Sequence, residues 1–95
     1  MRLIFDWDER KNALNKKKHG IAFEDAVAVF DSSLSRLYQD YEHGEERYVM
    51  VGILSNSLVM VVHTSEEVDD GCTLVRIISA RKLTSQERKD YEDDI

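Results

Sequence analysis

The sequence predicts a single α+β domain over residues 1–95, in the order β-α-α-β-β-β-β-α, with a mostly antiparallel sheet and helices packed on one face. Three observations carry this reading. Helical stripes and caps are confined to the first third of the chain and its last dozen residues. Runs rich in β-branched residues fill the middle. The connections between those runs are too short for crossovers, so the last four strands should pair antiparallel. A chain of 95 residues buries one modest core.

Leu3, Phe5 and Trp7 alternate with Ile4 and Asp6, which suits a short first strand. Asp6 with Glu9, or Asp8 with Lys11, then opens a helix. Gly20 ends it, and Lys16, Lys17, Lys18 and His19 in its last turn suit the negative end of the helix dipole. A second helix is expected over about 23–31, with Phe23, Ala26, Val27, Val29 and Phe30 as its apolar stripe. Ala22 stands at its cap position and offers no side-chain acceptor, a loss of ~1 kcal/mol. Strands follow at about 36–41, 47–54, 58–65 and 73–81. Leu54-Ser55-Asn56-Ser57-Leu58 reads as a tight hairpin, and Asp69-Asp70-Gly71 as a second turn. Thr84 and Glu87 have capping-box spacing and start the last helix.

Composition narrows the function classes. Proline is absent, so chain breaks fall to Gly and to Asn/Asp/Ser clusters. One cysteine allows no internal disulfide and no cysteine-rich zinc site. Cys72 follows Asp69-Asp70-Gly71, where neighbouring acids disfavour a thiolate nucleophile. The three histidines stand about twenty residues apart and form no ligand motif, so no metal or other cofactor is expected. The opening Met1-Arg2-Leu3-Ile4-Phe5-Asp6 does not read as a signal peptide, and no apolar run approaches ~18 residues, so the expected compartment is the cytoplasm. The net charge of -6 argues against broad, non-specific DNA binding. Acids gather at Glu42, Glu45 and Glu46, at Glu66–Asp70 and in the tail, while bases gather at Arg10–His19 and Arg76–Lys82. Local basic clusters in an acidic chain point to a placed anion site.

Arg76 lies inside the apolar run Arg76-Ile77-Ile78-Ser79-Ala80, which ends in Arg81-Lys82. A guanidinium there either pairs with a carboxylate, Glu46 being one choice, or binds phosphate on an open face. In a regular strand Arg76 and Arg81 would point to opposite faces. A bulge near Ser79 would bring them together; otherwise only one serves the site. His63 ends the run Val59–Val62 and should share a face with Val59 and Val61; it is either a proton-transfer group, for which a free imidazole titrates in the useful range, or a hydrogen-bonded histidine at a sheet edge. Glu46 is either a general base, an orienter of His63, or a surface ion pair. Lys11, Asn15 and Lys18 share one helix face, which is a phosphate track or a partner contact. His19 reads as structural and His43 as solvated. Tyr91 acts as a general acid, stacks on a base, or packs the last helix on the sheet.

Several motifs in series resemble the BrnT family of type II toxin–antitoxin systems. They are Phe5-Asp6-Trp7-Asp8, Lys11, Asn15, Lys18-His19-Gly20-Ile21, Phe23-Glu24 with Ala26, Val29-Phe30-Asp31, Glu45-Glu46-Arg47, His63-Thr64, Arg76–Arg81, and Glu87-Arg88 with Tyr91-Glu92. The resemblance implies a RelE-like fold and a metal-independent ribonuclease that inhibits translation and growth. It implies a BrnA-like ribbon-helix-helix antitoxin, a hetero-oligomer with it, repression of their operon, and contact with DNA only through the antitoxin. Within that frame Arg76, Arg81, His63 and Glu46 are the expected catalytic set. Lys18, Arg47, Lys82 and Tyr91 are the expected RNA-binding set. The acidic balance departs from RelE-like toxins that dock on ribosomes. It supports an alternative, a degenerate toxin-like module that binds protein without catalysis.

Overall fold

The computed structural model describes residues 2–40 and 46–95; Glu42, His43 and Glu45 of the expected acidic turn, and Tyr41 at the end of an expected strand, lie outside them. The elements are β1 (Arg2–Trp7), α1 (Glu9–His19), α2 (Phe23–Ala26) continued by a 3-10 turn (Val27–Asp31), β2 (Arg36–Asp40), β3 (Arg47–Leu54), β4 (Ser57–Asp69), β5 (Cys72–Lys82) and α3 (Ser85–Asp94). The five strands form one sheet in the order β1-β5-β4-β3-β2. β1 pairs parallel with β5, and every other pairing is antiparallel. The α+β class, the mostly antiparallel pairing and the order of elements along the chain follow the sequence pattern.

Local chemistry explains the joints. Asp8, not Asp6, caps α1: its carboxylate accepts from the Arg10 N–H at 2.8 Å and the Lys11 N–H at 3.2 Å. Gly20 closes the helix in the left-handed region at φ 76°. Ser55 and Asn56, both at positive φ, make the two-residue turn between Leu54 and Ser57. The second helix is α-helical only as far as Ala26, then tightens to a 3-10 turn. Val27 and Val29 are stiff at χ1, and the turn presses its backbone onto β3 at Gly52. A Cβ on Gly52 would sit 2.7 Å from the Val29 carbonyl oxygen and 3.0 Å from its Cγ1. Gly52→Ala should therefore cost about 2 kcal/mol, read as a lower denaturation midpoint with an unchanged m-value.

Alternation along β4 defines two sheet faces. Val59, Val61 and His63 are buried beneath α1, α2 and the 3-10 turn, in the core with Phe23, Ala26, Val29, Ile77 and Ala80. Met60, Val62 and Thr64 point to the opposite face, called the outer face below. α3 is tied to residues of that outer face: Arg81 binds its Glu87, and the Tyr38 hydroxyl donates to its Asp94 at 2.9 Å. Among the described residues, α3 shields one end of the outer face and leaves the other open.

Two buried asparagines of α1 join the layers. β1 ends opposite Ile77, so among the described residues no strand lies beside the next part of β5 on that edge. Asn15 takes the strand's place. Its amide donates to the Ala80 carbonyl at 2.8 Å and accepts from the Ala80 N–H at 3.1 Å, while also donating to Ile21 at 2.9 Å. Asn12 accepts from the Phe23 N–H at 2.8 Å, which supplies from another helix the cap that Ala22 lacks.

Candidate active site on the outer face of the sheet

The decisive local feature is one extra residue in β5. Val62 pairs with Ser79 and His63 pairs with Ile77, which leaves Ile78 unpaired in a bulge. The insertion reverses the alternation beyond it. Arg76 pairs with Thr64 and Arg81 with Met60, so both guanidiniums stand on the outer face. This is the arrangement that a regular strand would forbid. Arg47, at the start of β3 beside Tyr48, shares that face and lies opposite Asp40.

Each arginine meets a carboxylate. The Arg76 partner is Asp6, from the neighbouring strand β1, and not Glu46. Nη1 to Oδ2 is 2.5 Å, with both side chains about half exposed (48% and 50%). Asp6 and Arg76 are direct cross-strand partners. Arg81 grips Glu87 with two parallel bonds of 2.8 and 2.9 Å. Glu87 also accepts from the Thr84 N–H at 2.8 Å and completes the expected capping box. The Arg81 bond, followed by the backbone bond at Thr84, brings the Glu87 carboxyl down to about 2.

A folded-state pKa below the unfolded value stabilises the fold above the unfolded value near 4.5 and loses that contribution as pH falls towards about 2. With Glu87 partly exposed, solvent screening reduces the effect to on the order of 1 kcal/mol. Glu87→Gln should lower stability by that amount at pH 7. The gap from wild type should close between pH 4.5 and 2 in denaturant titrations at stepped pH.

The other expected site residues divide. His63 lies on the core face, 2% exposed. Its Nδ1 is 3.1 Å from the Val61 carbonyl oxygen, and its ring meets Phe30 edge-on at 4.9 Å. Burial lowers its pKa and keeps it neutral at pH 7. It does share a face with Val59 and Val61, but the sheet separates it from both arginines. Tyr91 is buried too, and its hydroxyl donates to the Leu34 carbonyl; it packs α3 rather than offering a ring to RNA. Lys82 pairs with Val59 and lines a cleft of about 500 Å³ on the core-face side, with Gly20, Glu24, Asp25 and Leu54. Lys18 is exposed and, with Lys11, Leu14 and His19, flanks a groove against Ile78 and Ser79 at the bulge. Asn15, the middle residue of the expected basic stripe, is spent on β5. Glu46 is exposed and immediately precedes β3.

The open part of the outer face therefore holds Arg76, Thr64, Ser79 and Arg47, with Arg81 at its α3 border and Lys18 at the α1 groove. Fixed cations on a rigid strand can hold a phosphodiester and stabilise charge that develops on it. Asp6 and Glu87 are the members that sequence reading missed as partners. Glu87 carried a signal in its capping box. Asp6 carried only its place in an apolar strand.

A family model described as “Ribonuclease toxin, BrnT, of type II toxin-antitoxin system” matches residues 7–87. No curated protein matches the chain.

Proposed function

Since this chain belongs to the BrnT family of ribonuclease toxins of type II toxin–antitoxin systems, we propose that it is an active endoribonuclease whose site is the outer face around Arg76 and Arg81. The observation that carries this reading is the Ile78 bulge, which turns two arginines of one strand onto the same open face. RNA would lie across that face with its scissile phosphate at the guanidiniums. Arg47 and Lys18 would hold flanking phosphates, each a fixed or tethered positive charge at the border of the face. The cleavage needs no metal in this scheme, because guanidiniums offset the charge on the pentacoordinate phosphorus. His63 takes no direct part, being buried on the opposite side.

The cytoplasm is the proposed place of action, and growth arrest by loss of translatable RNA the proposed consequence. The inhibitor is proposed to be a small ribbon-helix-helix antitoxin. The pair would form a hetero-oligomer that represses its own operon, with DNA contacted by the antitoxin alone. Co-expression with the neighbouring gene product should give one peak in size-exclusion chromatography; separate elution would count against the pair.

A second reading, a binding module without catalysis, draws on the occupied state of both arginines and on the net charge of -6. Incubation of purified protein with single-stranded RNA in the presence of a chelator decides between them. Cleavage products ending in 2′,3′-cyclic phosphate support the ribonuclease. Intact RNA over a range of sequences supports the module.

A further inference from the structure

We infer that Asp6 is the general base of the site, taking the proton from the 2′-hydroxyl next to the phosphate held by Arg76; the inference rests on the outer-face reading above. A base for this reaction must lie within hydrogen-bond reach of an oxygen that is itself about to bond to phosphorus. A carboxylate bound to the same guanidinium as the phosphate meets that requirement. Arg76 reaches Asp6 through Nη1 and the carboxylate oxygen Oδ2 at 2.5 Å. Its remaining N–H donors are left for a phosphate oxygen, and Oδ1 of Asp6 is left for the 2′-hydroxyl. β1 and β5 hold the pair rigidly, since Asp6 and Arg76 are register partners in the parallel ladder. Both side chains are about half exposed on the open part of the face.

No other assigned group fits as well. His63 lies across the sheet. Glu87 has both oxygens bound to Arg81 and one also to the Thr84 N–H, so its lone pairs are largely spent. Glu46 lies outside the strands, beside Arg47 on the far side of β4 from β5 and Arg76.

The step balances simply. The 2′-oxygen gives its proton to Asp6 and forms the bond to phosphorus, and the bond from phosphorus to the 5′-oxygen breaks. The departing 5′-oxygen takes a proton from water. The products are a 2′,3′-cyclic phosphate and a 5′-hydroxyl, and Asp6 returns its proton to solvent. Arg76 has two parts in the step, binding the phosphate and orienting the carboxylate.

The test is single-turnover cleavage by Asp6→Asn, Asp6→Glu, Glu46→Gln and Arg76→Ala proteins, with affinity measured on an RNA carrying one 2′-deoxy residue at the cleavage position. Asp6→Asn is isosteric and half exposed, so it should fold as wild type does. Its cleavage rate should fall by about 10²–10⁴-fold. Its affinity for the deoxy-substituted RNA should be unchanged or tighter, because a negative charge has left the phosphate site. Asp6→Glu should recover part of the rate. A wild-type or faster rate in Asp6→Asn would overturn the inference and make the carboxylate a brake on Arg76. So would a loss confined to Glu46→Gln, or a loss explained wholly by weaker binding. If Arg76→Ala is inactive while Asp6→Asn cleaves normally, only the base assignment falls. If Arg76→Ala also cleaves normally, the outer-face site itself falls.

Discussion

Arg76→Ala and Arg81→Ala should each lower kcat by ~10²–10³, with a much smaller effect on RNA affinity. The reason is where the charge develops. A guanidinium aimed at the phosphate contributes most when phosphorus becomes pentacoordinate and its oxygens gain charge. Ground-state RNA binding is spread over several cations, so losing one weakens it little. The two variants should differ in stability, which separates chemistry from folding. Arg76 and Asp6 form a half-exposed pair, and removing it should move the melting temperature little. Arg81→Ala leaves Glu87 without its bidentate partner and should loosen α3. Cells producing either variant at matched levels should escape growth arrest, while circular dichroism shows a folded domain.

Asn15→Ala should be the most damaging change to the fold, at about 3 kcal/mol. It strands the Ala80 N–H, the Ala80 carbonyl and the Ile21 carbonyl in a buried setting. Among the described residues, no strand lies beside that stretch of β5 to take over. Asn15→Asp keeps an acceptor for the Ala80 N–H but turns a carboxylate oxygen towards two carbonyls, so it should fare no better. Urea titration at neutral pH measures both. A cost under about 1 kcal/mol would show that water can replace the asparagine there.

Most of the fold was legible because its signals are local. Gly20, the Ser55-Asn56 turn and the Thr84–Glu87 box each act over four residues or fewer. β-branched runs marked β3, β4 and β5 within a few residues. The parts that the sequence hides or leaves open depend on packing between elements. Asp6 and Arg76 are 70 positions apart and meet only through the parallel pairing of the first and last strands. The sequence leaves a bulge near Ser79 as one of two arrangements, and the apolar run Ile77-Ile78 does not choose between them; the bulge at Ile78 decides which face Arg81 occupies. α1 turns Asn12 and Asn15 inward rather than an apolar stripe, so periodicity could not show which side it buries. The shortened α2 reflects the approach of Val29 to Gly52, a contact between elements.

For the site, residue type was easier to read than position. A strand-borne arginine needs an anion or a carboxylate, and Arg76 has the carboxylate of Asp6. Burial was harder to foresee. His63 and Tyr91 have the chemistry of a nuclease site, but their environments take them out of reach: one sits under Phe30, the other bonds the Leu34 carbonyl.

RNA is proposed to bind across the outer face at the Ile78 bulge. Amide chemical-shift mapping tests it most directly, using isotope-labelled protein titrated with an RNA made uncleavable by a 2′-deoxy residue. The largest shifts should fall at Thr64, Arg76, Ser79 and Arg81, with smaller ones at Lys18 and Arg47. Shifts confined to the core-face cleft of Gly20, Glu24, Leu54 and Lys82 would contradict it.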